Sequence, residues 1–155
     1  MNKLRPYLWF DKGKAKQAAE FYSAIFEDAE ILQEFTIEDS PSGTLTEITV
    51  QLLGQQMTFL DVGPEFKFTE AISFIIDCDG QDEVDYYWDR LTADGGTGGQ
   101  CGWLKDWFGL SWQIVPKQFY ELTKKDKSGR VMEAMLSMNK LIIADLERAY
   151  NQSSE

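Results

Sequence analysis

Hydrophobic and polar positions along the chain follow two periods, and the switch from one to the other happens twice. Residues 4–11 (LRPYLWFD) read as a strand, which Lys12, Gly13 and Lys14 turn into a helix. Over residues 15–26, Ala18, Phe21, Tyr22, Ile25 and Phe26 recur at three- and four-residue spacing, so this helix has one broad apolar face. Lys12, Lys14, Lys16 and Gln17 stay wet. From Glu30 the period shortens, and residues 31–37, 44–53 and 56–61 read as three strands. Asp-Ser-Pro-Ser-Gly at 39–43 and Leu-Gly-Gln-Gln at 53–56 supply the turns between them.

A second start follows. Residues 62–65 close the first unit, and residues 71–78 read as a strand, with Asp79 as N-cap of the next helix. Asp82, Glu83 and Asp85 load that helix start with the charge its dipole favours, and Val84, Tyr87, Trp88 and Leu91 form its buried face. The stretch 95–116 then reads as a hairpin: residues 103–105 are one arm, Asp106-Trp107-Phe108-Gly109 the turn, and residues 110–115 a return strand apolar enough to be central. The two starts superpose at an offset of 66 residues, with Asp11 on Asp77, Phe21-Tyr22 on Tyr87-Trp88 and Ile25 on Leu91; the closing strands superpose at 55, with Gly54 on Gly109 and Thr58 on Gln113. The chain is thus a diverged tandem repeat. The expected fold is α+β, with one βαβββ module over residues 1–63, a second over 64–117 and a helical extension over 118–155, all in one structural domain. In that extension, helices are expected over residues 117–125, 130–138 and 142–150. The stripe Val131, Met132, Met135, Leu136 and Met138 reads as core, with a dimer contact as the alternative. Residues 151–155 are expected to fray.

Composition narrows the partners. The 155 residues are 43% hydrophobic and 14% aromatic, ample for a core, and the formal net charge is -11. Nucleic acid and an anionic membrane surface are poor partners for such a chain, because both need clustered Lys and Arg. Cys78 and Cys101 make neither a CxxC pair nor a disulfide framework, and no apolar run follows Asn2-Lys3 to act as a signal. Apolar runs such as residues 71–76 are too short to span a bilayer. The expected location is the cytoplasm.

The segments LWFDKGKAKQAAEFY, GPEFKFTEAISFIIDC, QDEVDYYWDRL, QCGWLKDWFGLSWQIVP and VMEAMLSMNKLIIADLERAY cover most of the chain. They resemble the vicinal-oxygen-chelate superfamily, the glyoxalase and bleomycin-resistance fold, and within it the PhnB-like branch described as 3-demethylubiquinone-9 3-methyltransferase-like. The resemblance implies two modules closing around a cleft, and a homodimer. It also implies a cleft metal held at four strand positions, which fall here near Tyr7, Thr58, Ser73 and Gln113. Of these, Gln113 alone keeps a commonly used ligand type, and the chain has no histidine. No catalytic metal is expected. No cofactor is expected either, with a divalent metal as the alternative: no strand is followed by a glycine-rich loop opening a helix that could hold a nucleotide-like cofactor.

Without histidine, acid and base work falls to carboxylates, Lys, Tyr or Cys. Glu47 alternates with Ile48 and Val50 on the third strand; buried in a cleft it would be a base with a raised pKa, and otherwise it is a solvated strand residue. Asp11 and Asp77 recur before the two helices and read as turn or cap residues. Cys101 lies among Gly98, Gly99 and Gly102, two residues before Trp103 and near Lys105, which would favour a thiolate; its other reading is a small buried residue. Cys78 reads as core. Glycines 95, 96, 98, 99 and 102 match no phosphate-cradle motif and read as a mobile loop before an edge strand. Tyr7 and Trp9 share one strand face by alternation, and Trp103 and Trp112 lie on opposite arms of the hairpin; lining a cleft, they would select a flat or apolar ligand, with Gln113 and Glu47 as polar anchors. The reading that follows is a small-molecule binding protein without a metal. Its alternatives are a divalent-metal enzyme with Gln113 as a ligand and a structural or regulatory homodimer with a closed cleft.

Overall fold

The computed structural model describes residues 2–153 and divides the chain after Lys67 into two compact units. In the first, β1 (Tyr7–Phe10) leads into α1 (Lys14–Ile25), followed by β2 (Glu30–Ser40), β3 (Gly43–Leu52) and β4 (Gln55–Asp61). The strands form one sheet in the order β1-β4-β3-β2, with β1 parallel to β4 and the rest antiparallel. This is the βαβββ module the periodicity predicts. β1 starts later than expected because Pro6 offers no N–H to a ladder; its carbonyl still accepts the Thr58 amide at 3.0 Å. The β3–β4 turn has Leu53 and Gly54 both at positive φ, and the Asp28 carboxylate accepts their amides at 2.8 and 3.0 Å.

Alternation then decides what each face of this sheet meets. Leu8, Phe10, Ile48, Val50, Met57 and Phe59 are buried, as are Ala15, Ala18, Ala19, Tyr22 and Ile25 of α1. The fully buried Tyr22 ring meets Phe59 edge-on at 5.8 Å, and Phe10 lies 5.0 Å from Phe59. Phe21, expected on the buried face, is half-buried. Tyr7, Trp9, Glu47, Thr49, Thr58 and Leu60 occupy the opposite face by the same alternation.

The second unit repeats the plan with β5 (Phe74–Cys78), α2 (Gln81–Leu91), β6 (Thr97–Gly98), β7 (Trp103–Lys105) and β8 (Ser111–Pro116), in the order β5-β8-β7-β6. Ser73 precedes β5 instead of lying on it: residue 69 makes a tight turn, its Thr hydroxyl accepting the Ala71 amide at 3.3 Å, and the strand begins after it. Asp79 is not the N-cap of α2. That position is Gly80, and the Asp79 carboxylate pairs with Lys117 of the following helix. Asp77 likewise lies on exposed β5 backbone and is no cap; Asp11 does make a turn, accepting the Lys12 amide on its carboxylate and the Lys14 amide on its carbonyl.

After β8 come α3 (Lys117–Lys125), α4 (Arg130–Leu136) and α5 (Ile143–Ser153), which belong to the same compact unit as the second sheet. Val115, Phe119, Val131, Leu141 and Leu146 form their core, with Met135 and Met138 packed against it. The Met stripe is therefore core on one side, while Met132 and Leu136 are exposed. Helix α5 runs through residues 151–153, where fraying was expected; the rest of that tail lies outside the described residues.

The glycine-rich stretch is packed, not loose. A side chain at Gly96 would meet three backbone atoms, one at Gly98 would meet the Trp88 ring, and one at Gly102 would meet Ile114 and Leu141. The amides of Cys101 and Gly102 donate to the carbonyls of Met138 and Asn139, both at 2.8 Å, tying this stretch to the segment before α5. Among the described residues no helix is long and apolar enough to cross a membrane.

Candidate functional site

On the first sheet, the face opposite α1 brings four of the expected residues together. Tyr7 stands beside Thr58 in the parallel β1–β4 pairing, Glu47 stands opposite Leu60, and Trp9 is two residues along from Tyr7. The Tyr7 hydroxyl donates to Glu47 Oε1 at 2.7 Å. Partial burial pushes the Tyr7 phenol well above its ordinary pKa, and the Glu47 carboxylate, as acceptor and as charge, pushes it further. Glu47 is half-buried and engaged by this phenol. Thr58 is fully buried, its hydroxyl 3.0 Å from that of Thr49, and it accepts a bond from Arg5 Nε at 2.8 Å. Arg5 and Thr49 are missed by sequence reading, although alternation from Glu47 reaches Thr49. Trp9 donates its indole N–H to the Gly63 carbonyl at 2.8 Å and meets Phe66 edge-on at 4.8 Å. It is an anchored wall, with its polar atom already used.

On the second sheet the hairpin register separates the two tryptophans. Trp103 pairs with Gln113 and Leu104 with Trp112, so Trp112 points to the opposite side from Gln113. It is 3% exposed, and its indole donates to the Asp106 carboxylate at 2.9 Å. Trp112 is therefore core and not a binding-face residue. The reason is the turn. A loop of four residues, 106–109, would oppose Trp103 to Trp112; instead Asp106 N–H donates to Leu110 at 3.0 Å, leaving a three-residue loop closed by Gly109 at φ 89°. The Gln113 amide donates to Ser73 Oγ at 2.9 Å, while Ile75 is its direct β5 neighbour.

This face also carries a depression of about 290 Å³, entirely within the second unit, lined by Glu70, Thr97, Gly99, Trp103, Leu104, Lys105 and Ser111. Lys105 pairs across the ladder with Ser111 on one side and Thr97 on the other, so three polar side chains share one face in a row. Lys105 Nζ forms an ion pair with Glu70, and this holds the Glu70 carboxyl below the usual carboxylate range. Thr97 and Ser111 have no motif, but alternation back from Gln113 gives Ser111.

Lys105 is thus committed to a carboxylate, not to the Cys101 thiol. Cys101 sits before β7 at φ 60°, half-buried, with Sγ 3.9 Å from the Leu136 carbonyl. Cys78 is fully buried, and burial first, then the carboxylates of Glu83, Asp77 and Asp79, push its thiol up to about 12. At pH 8 an aromatic disulfide reagent should titrate one of the two thiols of the folded protein. Cys101→Ser should abolish that signal and Cys78→Ser should leave it; fast labelling of both would contradict the burial of Cys78.

The four positions related by the repeat do not fit a divalent transition metal. They offer a phenol, two aliphatic hydroxyls and an amide, where such ions want imidazole, carboxylate or thiolate. The Tyr7 hydroxyl donates to Glu47 and the Gln113 NH₂ to Ser73, and the Arg5 guanidinium brings a positive charge to Thr58, which disfavours a cation there. Among the described residues no three His, Cys, Asp or Glu side chains cluster as a metal site.

Residues 2–115 match the model of the family described as 3-demethylubiquinone-9 3-methyltransferase. No curated protein matches the chain. Among solved structures, the PhnB protein of Bacillus cereus, which carries the same methyltransferase description, is 27% identical, with 74% of this chain and 99% of that one covered at a TM-score of 0.65. A protein from Pseudomonas aeruginosa is 15% identical over 75% of this chain and 98% of its own, with a TM-score of 0.58. The fosfomycin resistance protein FosX of Listeria monocytogenes is 16% identical over 77% and 94%, with a TM-score of 0.56. At such identities the last two show a shared fold alone.

Proposed function

Since the chain belongs to the PhnB-like family described as 3-demethylubiquinone-9 3-methyltransferase, with the vicinal-oxygen-chelate fold, we propose that it binds a small organic molecule and does so without a catalytic metal. The observation that carries this reading is the depression on the second sheet. It combines a half-buried indole wall, Trp103, with the convergent polar groups of Lys105, Ser111 and Thr97, the pattern of few polar anchors on an apolar surface that ligand sites use. On the first sheet, Tyr7, Glu47 and Trp9 form a second aromatic and polar surface.

The absence of a metal from this reading rests on donor chemistry. Three hydroxyls and one amide are neutral, weak ligands for a divalent ion, and at Thr58 the Arg5 guanidinium already donates to the hydroxyl oxygen, so a cation there would meet a positive charge. Methyl transfer is not part of the reading, because the strand-to-helix turns after β1 and β5 carry a single glycine each, Gly13 and Gly80, and no glycine-rich cradle.

The test is elemental analysis of tag-free protein after incubation with Mg, Mn, Ni and Zn and desalting, followed by thermal-shift screening with small aromatic compounds. The expected outcome is no retained metal and a set of aromatic compounds that raise the unfolding temperature. Stoichiometric metal that is lost on Gln113→Ala would overturn the reading in favour of a metalloenzyme.

A further inference from the structure

Ser111 is 1% exposed, and its hydroxyl has no hydrogen-bond partner. A buried hydroxyl left unmatched is destabilising, so an orphan of this kind needs a reason. It lies in the lining of the depression, directly across the ladder from Lys105. Lys105 supplies a cation there, and its charge is met by Glu70, which belongs to the irregular segment before β5 and not to the sheet. The two side chains are 44% and 62% exposed, so water screens their attraction and the pair is easily exchanged.

We propose that this depression takes a small aromatic carboxylate, whose carboxyl group replaces Glu70 on Lys105 and accepts the unmatched Ser111 hydroxyl, with Glu70 acting as a built-in competitor. The proposal names the ligand class for the site proposed above and rests on that reading. Glu70 already shows which anion Lys105 accepts here, yet it leaves Ser111 unsatisfied. A free carboxylate with two oxygens can meet Lys105 with one and Ser111 with the other, and Thr97 adds a second hydroxyl on the same face. The half-buried Trp103 in the lining offers an aromatic surface for a ring. A volume of about 290 Å³ suits a molecule of one ring. With a net charge of -11, the protein as a whole repels anions, so binding must depend on the local cation.

The experiment is isothermal titration of the full chain with phenylacetate, and with phenylacetamide as its neutral counterpart. Phenylacetate should bind, and the amide should bind at least tenfold more weakly. Glu70→Gln should tighten phenylacetate about fivefold, the value of removing one exposed competing ion pair. Lys105→Met should weaken it at least tenfold. Ser111→Ala should weaken it about fivefold and, because it removes the orphan hydroxyl, should leave the free protein as stable as before or more so. That opposite movement of binding and stability is what a merely structural serine would not show. Equal binding of acid and amide, unchanged or weaker binding by Glu70→Gln, or no binding of phenylacetate at millimolar concentration to either protein would overturn the proposal. Amide binding with no preference for the acid would leave the small-molecule reading standing, and stoichiometric metal in the elemental analysis would remove that reading by itself.

Discussion

Asp106→Asn should lower the stability of the second unit by about 3 kcal/mol, one of the largest effects of any polar substitution in the chain. The Asp106 side chain is 3% exposed. One carboxylate oxygen accepts the amides of Phe108 and Leu110 at 3.0 and 3.1 Å, and the other accepts the Trp112 indole at 2.9 Å. All three groups are donors. An ionised carboxylate, which only accepts, matches them; an asparagine must turn its NH₂ toward at least one. The result is a buried donor facing a buried donor, which costs more than the loss of one bond. Because this carboxylate fixes the three-residue loop, the loss also loosens the register that sets Lys105 against Ser111. Urea unfolding of wild type and variant measures the effect, and a loss below about 1 kcal/mol would show that the loop holds its geometry without Asp106.

The same loop explains what could and could not be read from the sequence. The modules, their order and the helix faces follow from periodicity, because a helix that buries Ala18, Tyr22 and Ile25 or Val84, Tyr87 and Leu91 must write that spacing into the chain. The position of Trp112 does not follow, because a hairpin loop one residue shorter sends every following side chain to the other face. Asp106 carried the information, but as a side chain bonding to a ring six residues away, which no spacing rule encodes. The tandem offsets show a similar slip: they place Ser73 at the position of Tyr7, whereas in the ladder Ile75 stands against Gln113 as Tyr7 stands against Thr58. The shift is two residues, so the face is kept and only the depth along the strand changes. The Glu70–Lys105 pair was beyond sequence reading for another reason, since it joins an irregular segment to a strand 35 residues later and nothing local specifies it.

Gly96→Ala should destabilise the second unit by about 3 kcal/mol, although nothing in the backbone conformation at that position demands glycine. Its φ is -73° and ψ 166°, which any residue adopts. The constraint is space. A methyl group there would lie 2.7 Å from the Leu91 carbonyl oxygen, 2.9 Å from the Lys105 carbonyl oxygen and 2.9 Å from the Thr92 Cα. These are main-chain atoms, so no rotamer change can clear them, and the end of α2 must move away from β7. At Gly98 the clash is also 2.7 Å, but with the Trp88 ring, a side chain that can swing; Gly98→Ala should therefore cost only about 1 kcal/mol. The difference between the two variants separates backbone crowding from a generic loss of glycine. Displacement at Gly96 also reaches the ligand face, because the next residue, Thr97, pairs with Lys105. Phenylacetate binding should consequently fall in Gly96→Ala and persist in Gly98→Ala. Equal unfolding midpoints for the two variants would show that the glycine-rich stretch is as loose as its composition suggests, and that it does not hold the wall of the depression in place.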